Sequence, residues 1–261
     1  MPTSKGDFIL LDYKAKVKET GDIFDTSLTD VAKEAKLFKE NAIYEPMLIV
    51  VGEGWVIGAL DENLVGLEVG STKTVEISAE KAFGPRDPNK IKLVPIKKFS
   101  GSKIDPRPGL EVEVDGKLAI IRSVGAGRVQ LDFNAPLAGR TLLYDIDVKQ
   151  LLQDEETKIQ SLIHRRIPTV PVNKFEMSRA DDRISLMIPE EATYLEGVNA
   201  AKRGMALDIQ KFFPSINTVE FVEKHVRKEI AESTPPEKPE DKSETPPVNI
   251  ESTVESATKT Q

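Results

Sequence analysis

The segment from residue 52 to residue 71, GEGWVIGALDENLVGLEVGS, constrains the fold more than any other part of the chain. Its large apolar residues, Val56, Leu60, Leu64 and Leu67, recur at the spacing of helical turns. This spacing predicts a helix with one buried stripe. The segments on either side alternate apolar and polar residues as strands do. We therefore predict an α+β domain in which a half-rolled antiparallel sheet wraps around one helix.

Strand-like and turn-like segments accompany this helix. Residues 8–17 alternate from position 11 onward, residues 46–51 form a short apolar run, and residues 72–77 alternate again. The sequence SLTD at residues 27–30 has the form of a capping box, in which a serine side chain caps the first turn of a helix. It predicts a short helix that continues to about Phe38.

Residues 85–131 differ from the sequence around them. They carry ten Lys/Arg and five Asp/Glu, whereas residues 1–84 carry nine and fifteen. An Asp115-Gly116 pair stands between two strand-like runs and is a strong hairpin signal. We predict a separate small β domain here, after which the chain returns to the first domain through a strand at residues 142–148. The alternative is a solvated, lysine-rich loop.

The rest of the chain divides into two parts. Residues 154–230 combine helical and strand-like segments and predict a small α+β domain. Residues 231–261 contain five prolines and no aromatic residue. Because such a segment cannot bury enough apolar surface to offset its ordering entropy, we predict a disordered polar tail.

The residue types exclude several classes of chemistry. The chain has no cysteine and two histidines, His164 and His225, which lie outside the predicted sheet-and-helix domain. Thiol nucleophiles, thiolate metal sites and most nucleophile–base pairs are therefore hard to assemble there. No run approaches the roughly 20 apolar residues of a membrane span, and no apolar leader is visible, so a cytoplasmic protein is expected. The net charge of −7 argues against a dedicated nucleic-acid binder.

Five short motifs follow one another in a recognisable order. They are Tyr13, Phe24-Asp25-Thr26, the segment 52–71, Ala82-Phe83-Gly84 and, after the insertion, residues 134–142 with the sequence NAPLAGRTL. Together they resemble the FKBP-type peptidyl-prolyl isomerases, and in particular the long, SlyD-like class of archaea and bacteria. The resemblance implies an FKBP-like antiparallel half-barrel wrapped on a helix, formed by residues 1–84 and 132–153. It also implies an insert-in-flap β domain at 85–131, a C-terminal α+β domain at 154–230 and a tail at 231–261.

The same resemblance implies a set of site residues. Those expected to act in catalysis are Asp25, Tyr13, Phe24, Ile57, Phe83 and Tyr144, and those expected to bind substrate are Val56, Leu60 and Met47. Four aromatic rings would surround the prolyl ring, and Leu60 would form the floor. The Ile57 N–H would bind a substrate carbonyl, and Asp25 would act electrostatically beside the twisting amide.

Three positions depart from the family pattern. Phe83 stands where relatives usually carry tyrosine, Leu60 replaces the tryptophan of the short members, and Ala135 stands where a histidine is usual. Any one of the site residues, taken alone, is more often an ordinary core residue or a turn residue. The case for a site depends on their joint occurrence.

The resemblance implies a peptidyl-prolyl cis-trans isomerase that accelerates protein folding and binds unfolded clients through the inserted domain. The alternative is a catalytically idle holdase or ribosome-associated binding module. Expected partners are proline-containing unfolded or nascent polypeptides and, through the C-terminal domain, a second copy of the chain. A membrane partner is not expected, nor is nucleic acid except at a ribosome contact. No metal or organic cofactor is expected.

Overall fold

A computed structural model of the chain describes residues 1–99, 101 and 104–226. The predicted tail at 231–261 lies outside the described residues, as do residues 227–230 of the predicted C-terminal domain. The helices are α1 (Thr29–Glu34), α2 (Gly58–Leu64), α3 (Glu155–Arg166), α4 (Glu190–Thr193) and α5 (Val198–Phe212). Within the described ranges, none of them is long and apolar enough to cross a membrane.

The described strands form three sheets. In chain order the strands are β1 (Phe8–Val17), β2 (Ile23–Thr26), β3 (Met47–Val50), β4 (Thr72–Ile77), β5 (Ile91–Pro95), β6 (Glu111–Val114), β7 (Lys117–Gly125), β8 (Arg128–Asp132), β9 (Leu142–Leu152), β10 (Met177–Ala180), β11 (Arg183–Ile188) and β12 (Thr218–Glu223). Antiparallel pairing predominates, and helices account for few residues. The α+β class predicted from the sequence is confirmed.

The central sheet has the strand order β2-β1-β9-β4, and β3 also pairs with β1. All of its pairs are antiparallel. The longest pairing joins β1 to β9 and extends from Phe8 opposite Leu152 to Val17 opposite Leu142. β1 and β9 are therefore the two inner strands of the sheet, and their side chains lie at its middle.

Helix α2 covers one face of the central sheet. Its Leu60 and Leu64 are buried and belong to the same apolar cluster as Ile9 and Leu11 of β1. The helix is shorter than the apolar stripe in the sequence, because Val56 lies before its first turn and Leu67 lies beyond its last. Val56 therefore lies in the loop before the helix and is not part of its buried face.

The predicted capping box is wrong. Helix α1 begins after Leu28, which makes no side-chain cap, and it ends at Glu34 rather than near residue 38. The buried Ser27 hydroxyl instead donates to Asp12 Oδ1 at 2.7 Å and accepts the N–H of Tyr13 at 2.9 Å. A carboxylate on the neighbouring strand therefore competes successfully with the helix for this hydroxyl.

Residues 91–132 form a separate four-stranded antiparallel sheet with the order β5-β8-β7-β6. The predicted hairpin is confirmed: Asp115 and Gly116 connect β6 to β7, with φ values of 54° and 74°. Positive φ at both positions is the geometry that favours Asp-Gly in a two-residue turn. This sheet has its own apolar cluster, which includes Val112, Ile121 and Leu131.

The carboxylate of Asp132 links the segment that leads into this sheet to the segment that leads out of it. Asp132 Oδ2 accepts hydrogen bonds from Arg86 Nη2 at 2.7 Å and Arg122 Nε at 3.0 Å. Its Oδ1 accepts the backbone N–H of Asn134 at 3.0 Å and the side-chain amide of Asn134 at 2.7 Å. Asn134 also bonds the backbone of Asp87 in both directions. The segments that enter and leave the sheet are thus joined by hydrogen bonds at the buried Asp132 and Asn134.

The C-terminal part of the described chain packs against the central sheet. Its own sheet has the order β10-β11-β12, with β11 and β12 parallel. One apolar cluster contains Phe8, Leu48 and Val50 of the central sheet together with residues of α3 and α5. The ring of Phe8 lies 5.2 Å from that of Phe212 in an edge-to-face arrangement. The two parts therefore share one core.

Candidate active site

A cavity of about 520 Å³ lies where the central sheet meets the loop before α2. All nine residues that the sequence assigned to the site line it: Tyr13, Phe24, Asp25, Met47, Val56, Ile57, Leu60, Phe83 and Tyr144. Leu11, Trp55 and Leu137 complete the lining. Positions separated by up to 131 residues in the sequence are therefore adjacent in the fold.

Three rings form the aromatic wall of the cavity. Tyr13 of β1 and Tyr144 of β9 are 6.4 Å apart between ring centres and tilted by 38°. Phe24 of β2 meets Tyr144 edge to face at 6.1 Å. These separations fall within the range in which aromatic pairs attract each other. The wall is held in place because its three members come from neighbouring strands of one sheet.

The polar groups at this wall are the hydroxyls of Tyr13 and Tyr144 and the carboxylate of Asp25. The Tyr13 hydroxyl donates to Asp25 Oδ2 at 2.9 Å, and the other carboxylate oxygen accepts the N–H of Thr26 at 2.9 Å. Burial, and after it the charge of Asp25, raise the pKa of Tyr13 above its usual range. The same two causes raise the pKa of Tyr144 to about 12. Both hydroxyls are therefore protonated donors at neutral pH, and Asp25 is held at the cavity edge.

The loop before α2 presents backbone to the cavity. The buried Asp61 of α2 accepts the N–H groups of Gly52 and Gly54, each at 2.8 Å, which fixes the loop that leads to Trp55, Val56 and Ile57. The Ile57 N–H donates to no group in the described part of the chain. It is available to a carbonyl oxygen bound in the cavity.

Phe83 also lines the cavity. It lies just beyond a single 3₁₀ turn at Ala79–Lys81, and its side chain is 47% exposed. A large ring with this exposure and no hydroxyl offers apolar surface to a ligand without a hydrogen bond. Leu60, in contrast, is 3% exposed and forms part of the floor.

Trp55, the only tryptophan, connects the cavity to the C-terminal part of the chain. Its ring lies 5.8 Å from that of Phe212 in an edge-to-face contact. The Arg165 guanidinium lies over it at 4.0 Å from the ring centre. Nearby, Lys211 of α5 pairs with Glu53. The sequence did not reveal which surface Trp55 faces, because its partners are more than 100 residues away.

The lining suits a reaction that needs no covalent catalyst. It contains apolar and aromatic side chains, one carboxylate and a free backbone N–H, and no thiol or imidazole. In the part of the chain that the structure covers, no three histidine, aspartate or glutamate side chains are grouped so as to hold a metal ion. Such a cavity can bind a compact apolar group and remove water from an adjacent polar bond.

Sequence reasoning missed Leu11, Leu137 and the supporting Asp61. Leu11 reads as core because it alternates on a strand, and Leu137 lies in a loop without periodicity. The sequence carried no specific signal for Asp61, because only the fold brings its carboxylate to the N–H groups of Gly52 and Gly54.

Two family models match parts of the chain. Residues 155–226 match a model described as FKBP26_C-terminal, and residues 92–137 match one described as FKBP26, IF domain. The second match covers most of the four-stranded sheet described above.

Curated relatives also match parts of the chain. A protein of Methanocaldococcus jannaschii named short-type peptidyl-prolyl cis-trans isomerase is 38% identical over 147 residues, which are 56% of this chain and 92% of the relative. The FKBP-type 16 kDa peptidyl-prolyl cis-trans isomerase of Escherichia coli K12 is 30% identical over 41% of this chain and 74% of its own. The FKBP-type isomerase SlyD of Helicobacter pylori is 21% identical over 59% of this chain and 78% of its own.

Proposed function

The chain belongs to the FKBP-type peptidyl-prolyl cis-trans isomerases, of the archaeal and SlyD-like kind, and on this premise we propose that it accelerates rotation about Xaa-Pro bonds during protein folding. The observation that carries the proposal is the convergence of nine predicted side chains on one ring-lined cavity. The names of the relatives support the same activity.

The reaction requires only a change in the surroundings of an amide bond. Resonance gives the planar amide a barrier of about 18–20 kcal/mol to rotation. It also places negative charge on oxygen and positive charge on nitrogen, so water stabilises the planar form more than the twisted one. A prolyl amide in the dry cavity loses that stabilisation, and its barrier falls. Leu60 and the rings of Tyr13, Phe24 and Tyr144 would exclude the water.

Two groups would hold the peptide during rotation. The free Ile57 N–H would donate a hydrogen bond to a substrate carbonyl and fix one side of the bond. Asp25, oriented by the Tyr13 hydroxyl at 2.9 Å, would lie beside the carbonyl carbon, which becomes more electrophilic as the amide twists and loses resonance. A fixed negative charge that favours the twisted form over the planar one lowers the barrier without moving a proton permanently.

The test is a refolding reaction that is limited by proline isomerisation. We expect the chain to accelerate it, and Asp25→Ala combined with Phe83→Ala to remove most of that acceleration. Asp22→Ala combined with Tyr194→Ala is the matched control, because both residues lie outside the cavity lining and Tyr194, like Phe83, is an exposed aromatic residue. An undiminished rate in the Asp25/Phe83 variant would refute the site assignment.

We also propose that the sheet at 91–132 binds unfolded clients. Support comes from its exposed apolar residues, above all Leu93 at 59% and Leu118 at 64%. Its outer strands β5 and β6 each pair on one side only, which leaves edges for an extended chain. Binding there would raise the client concentration at the cavity.

Point variants test this client binding without disturbing the fold. Leu93→Ser with Leu118→Ser should slow catalysis on an unfolded protein and leave a proline tetrapeptide unaffected. Leu207→Ser, at an equally exposed position on α5, is the control. Equal rates for the double variant and the control on the unfolded protein would contradict the proposal.

The other expectations remain proposals. They include the FKBP-like half-barrel description, the domain limits at 84, 131, 153 and 230, the cytoplasmic location and a homodimer through the C-terminal domain. The alternative function, an idle holdase or ribosome-associated module, predicts client binding with no acceleration of refolding. The refolding assay therefore separates the two.

A further inference from the structure

A second, larger cleft of about 800 Å³ adjoins the cavity on the side of the C-terminal part of the chain. The two spaces share four side chains, Tyr13, Phe24, Asp25 and Met47. The far wall of the cleft consists of α3 and the residues that follow it. A peptide with its prolyl ring in the smaller space would therefore have its neighbouring residues at the mouth of the larger one.

The near wall of this cleft is a loop with a defined shape. Within residues 37–47, the Tyr44 hydroxyl accepts the N–H of Lys39 at 3.1 Å and donates to the Leu37 carbonyl at 3.3 Å. The Tyr44 ring stacks on Phe38 at 5.5 Å. Across the cleft, Glu45 Oε1 and His164 Nε2 are 2.6 Å apart. The loop is thus tied to α3, and the cleft is a built feature of the fold.

The lining of the cleft suits an extended, mainly apolar peptide. Apolar side chains come from both walls: Leu10, Leu37, Ile43, Pro46, Leu48, Pro168 and Val172. Polar and charged groups also line the cleft, among them Lys39 and Glu45 of the loop and Gln160 and Ser161 of α3. Pockets that combine an apolar surface with a few placed polar groups are typical of ligand-binding sites.

Arg165 provides the most specific group of the cleft. Its guanidinium stacks on Trp55, which lines the cavity, while Arg165 itself lines the cleft, so it lies at the junction of the two. Its guanidinium forms no hydrogen bond or ion pair with the residues that the structure describes. The adjacent Arg166 differs, because two of its N–H groups bond Asp208. A stacked guanidinium keeps its edge free to bind a carboxylate with two hydrogen bonds.

We propose that the cleft is a second subsite for the same substrate chain, and that it holds an apolar flank of the proline whose acidic residue pairs with Arg165. The inference rests on the proposed function and adds to it a substrate class: prolines flanked by apolar and acidic residues. It also assigns the C-terminal part of the chain a role in substrate binding, through α3.

Binding of three dye-labelled peptides to the full chain tests the proposal by fluorescence anisotropy. The first is a proline tetrapeptide, the second extends it on both sides with leucine, isoleucine and glutamate, and the third carries glutamine in place of glutamate. We expect Arg165→Ala to weaken the acidic peptide about tenfold, as for one charge-assisted hydrogen-bonded pair, and to leave the other two unchanged. Arg203→Ala, an exposed arginine on α5, is the control.

A second variant tests the cleft without removing a charge. Ser161→Trp would fill the space beside α3, so we expect it to weaken both extended peptides and to spare the tetrapeptide. Equal effects of Arg165→Ala on all three peptides would overturn the proposal, because Arg165 would then act only by positioning Trp55. The proposal would also be overturned if Ser161→Trp left all three peptide affinities unchanged but changed the mass of the protein measured by light scattering. A second copy of the chain would then occupy the cleft.

Rates of tetrapeptide isomerisation, measured in parallel, separate this inference from the proposed function. If the chain does not accelerate isomerisation while Arg165 still controls affinity for the acidic peptide, the proposed function fails and the subsite stands. If isomerisation is accelerated and Arg165→Ala leaves all three affinities unchanged, the subsite fails and the proposed function stands.

Discussion

Replacing Asp132 with asparagine keeps the shape of the side chain and removes its charge. In the folded protein each carboxylate oxygen of Asp132 faces two donors, from Arg86 and Arg122 on one side and from Asn134 on the other. The side chain is 1% exposed. An asparagine must turn its NH₂ group toward one of these pairs, so two N–H groups lose their acceptor whichever way it is oriented.

The magnitude follows from these contacts. Burial would raise the pKa of Asp132, but the hydrogen bonds from Asn134 and Arg122 and the charge of Arg86 outweigh it and lower the pKa from 3.8 to about 2. A lowering of this size means that the charged carboxylate contributes about 2 kcal/mol to the free energy of unfolding at neutral pH. The donors left without an acceptor are included in this figure, because the pKa lowering arises from the same hydrogen bonds. We expect Asp132→Asn to cost about 2–3 kcal/mol, near the lower end of the range for breaking a buried ion pair.

The pH dependence has a definite sign. Because the pKa is lower in the folded state, the contribution of Asp132 is complete above the unfolded-state pKa of about 3.9 and is lost as pH falls toward about 2. The wild type should therefore lose more stability than Asp132→Asn between pH 5 and pH 2.

Urea unfolding followed by circular dichroism measures both effects. The matched control is Asp105→Asn in the same inserted segment, because Asp105 is 74% exposed and pairs with Arg107 at 2.8 Å. An exposed pair of this kind contributes about 0–1 kcal/mol. A cost below about 1 kcal/mol for Asp132→Asn, or equal costs for the two variants, would refute the reasoning.

Two further predictions concern backbone conformation and alkaline pH. Gly139 and Gly21 have the same φ of 75°, but a Cβ at Gly139 would lie 2.9 Å from Arg86 Cβ, whereas one at Gly21 meets nothing within 4 Å. Gly139→Ala should therefore lower the unfolding free energy by about 1–2 kcal/mol more than Gly21→Ala, and equal melting temperatures would contradict the predicted clash. Burial and the charge of Asp25 raise the pKa of Tyr13, so its neutral form stabilises the fold below the unfolded-state pKa of about 10, and that stability is lost as pH rises further. Tyr13→Phe should leave the tyrosinate absorbance rise near pH 10 unchanged, and a smaller rise would show that Tyr13 ionises there.

Local patterns in the sequence predicted much of the fold. The alternation at 8–17 and 72–77 and the Asp115-Gly116 turn correspond to strands and a hairpin in the structure. These features depend on neighbours a few residues away, so their signals lie in the sequence itself. Ser27 was misread because its partner, Asp12, lies on another strand. A short pattern cannot reveal a competing acceptor that only the tertiary fold brings near.

The site was predictable in a different way. The nine candidate residues came from resemblance to a family, and no periodicity connects Phe24 with Tyr144; what the structure adds is that all nine line one cavity. The contacts that are particular to this chain had no such guide. Trp55 stacks on Arg165 and meets Phe212, and Phe8 shares a core with α5, across separations that the sequence patterns do not span.

The pairing of β1 with β9 has a consequence for synthesis on the ribosome. Phe8 lies opposite Leu152, so the first strand leaves the exit tunnel long before its main partner exists. At about 5–20 residues per second, the wait is roughly 7–30 s. All strand pairs between β5 and β8 lie within residues 91–132 and are complete earlier. The nascent chain therefore finishes its inserted sheet while the apolar first strand still awaits β9.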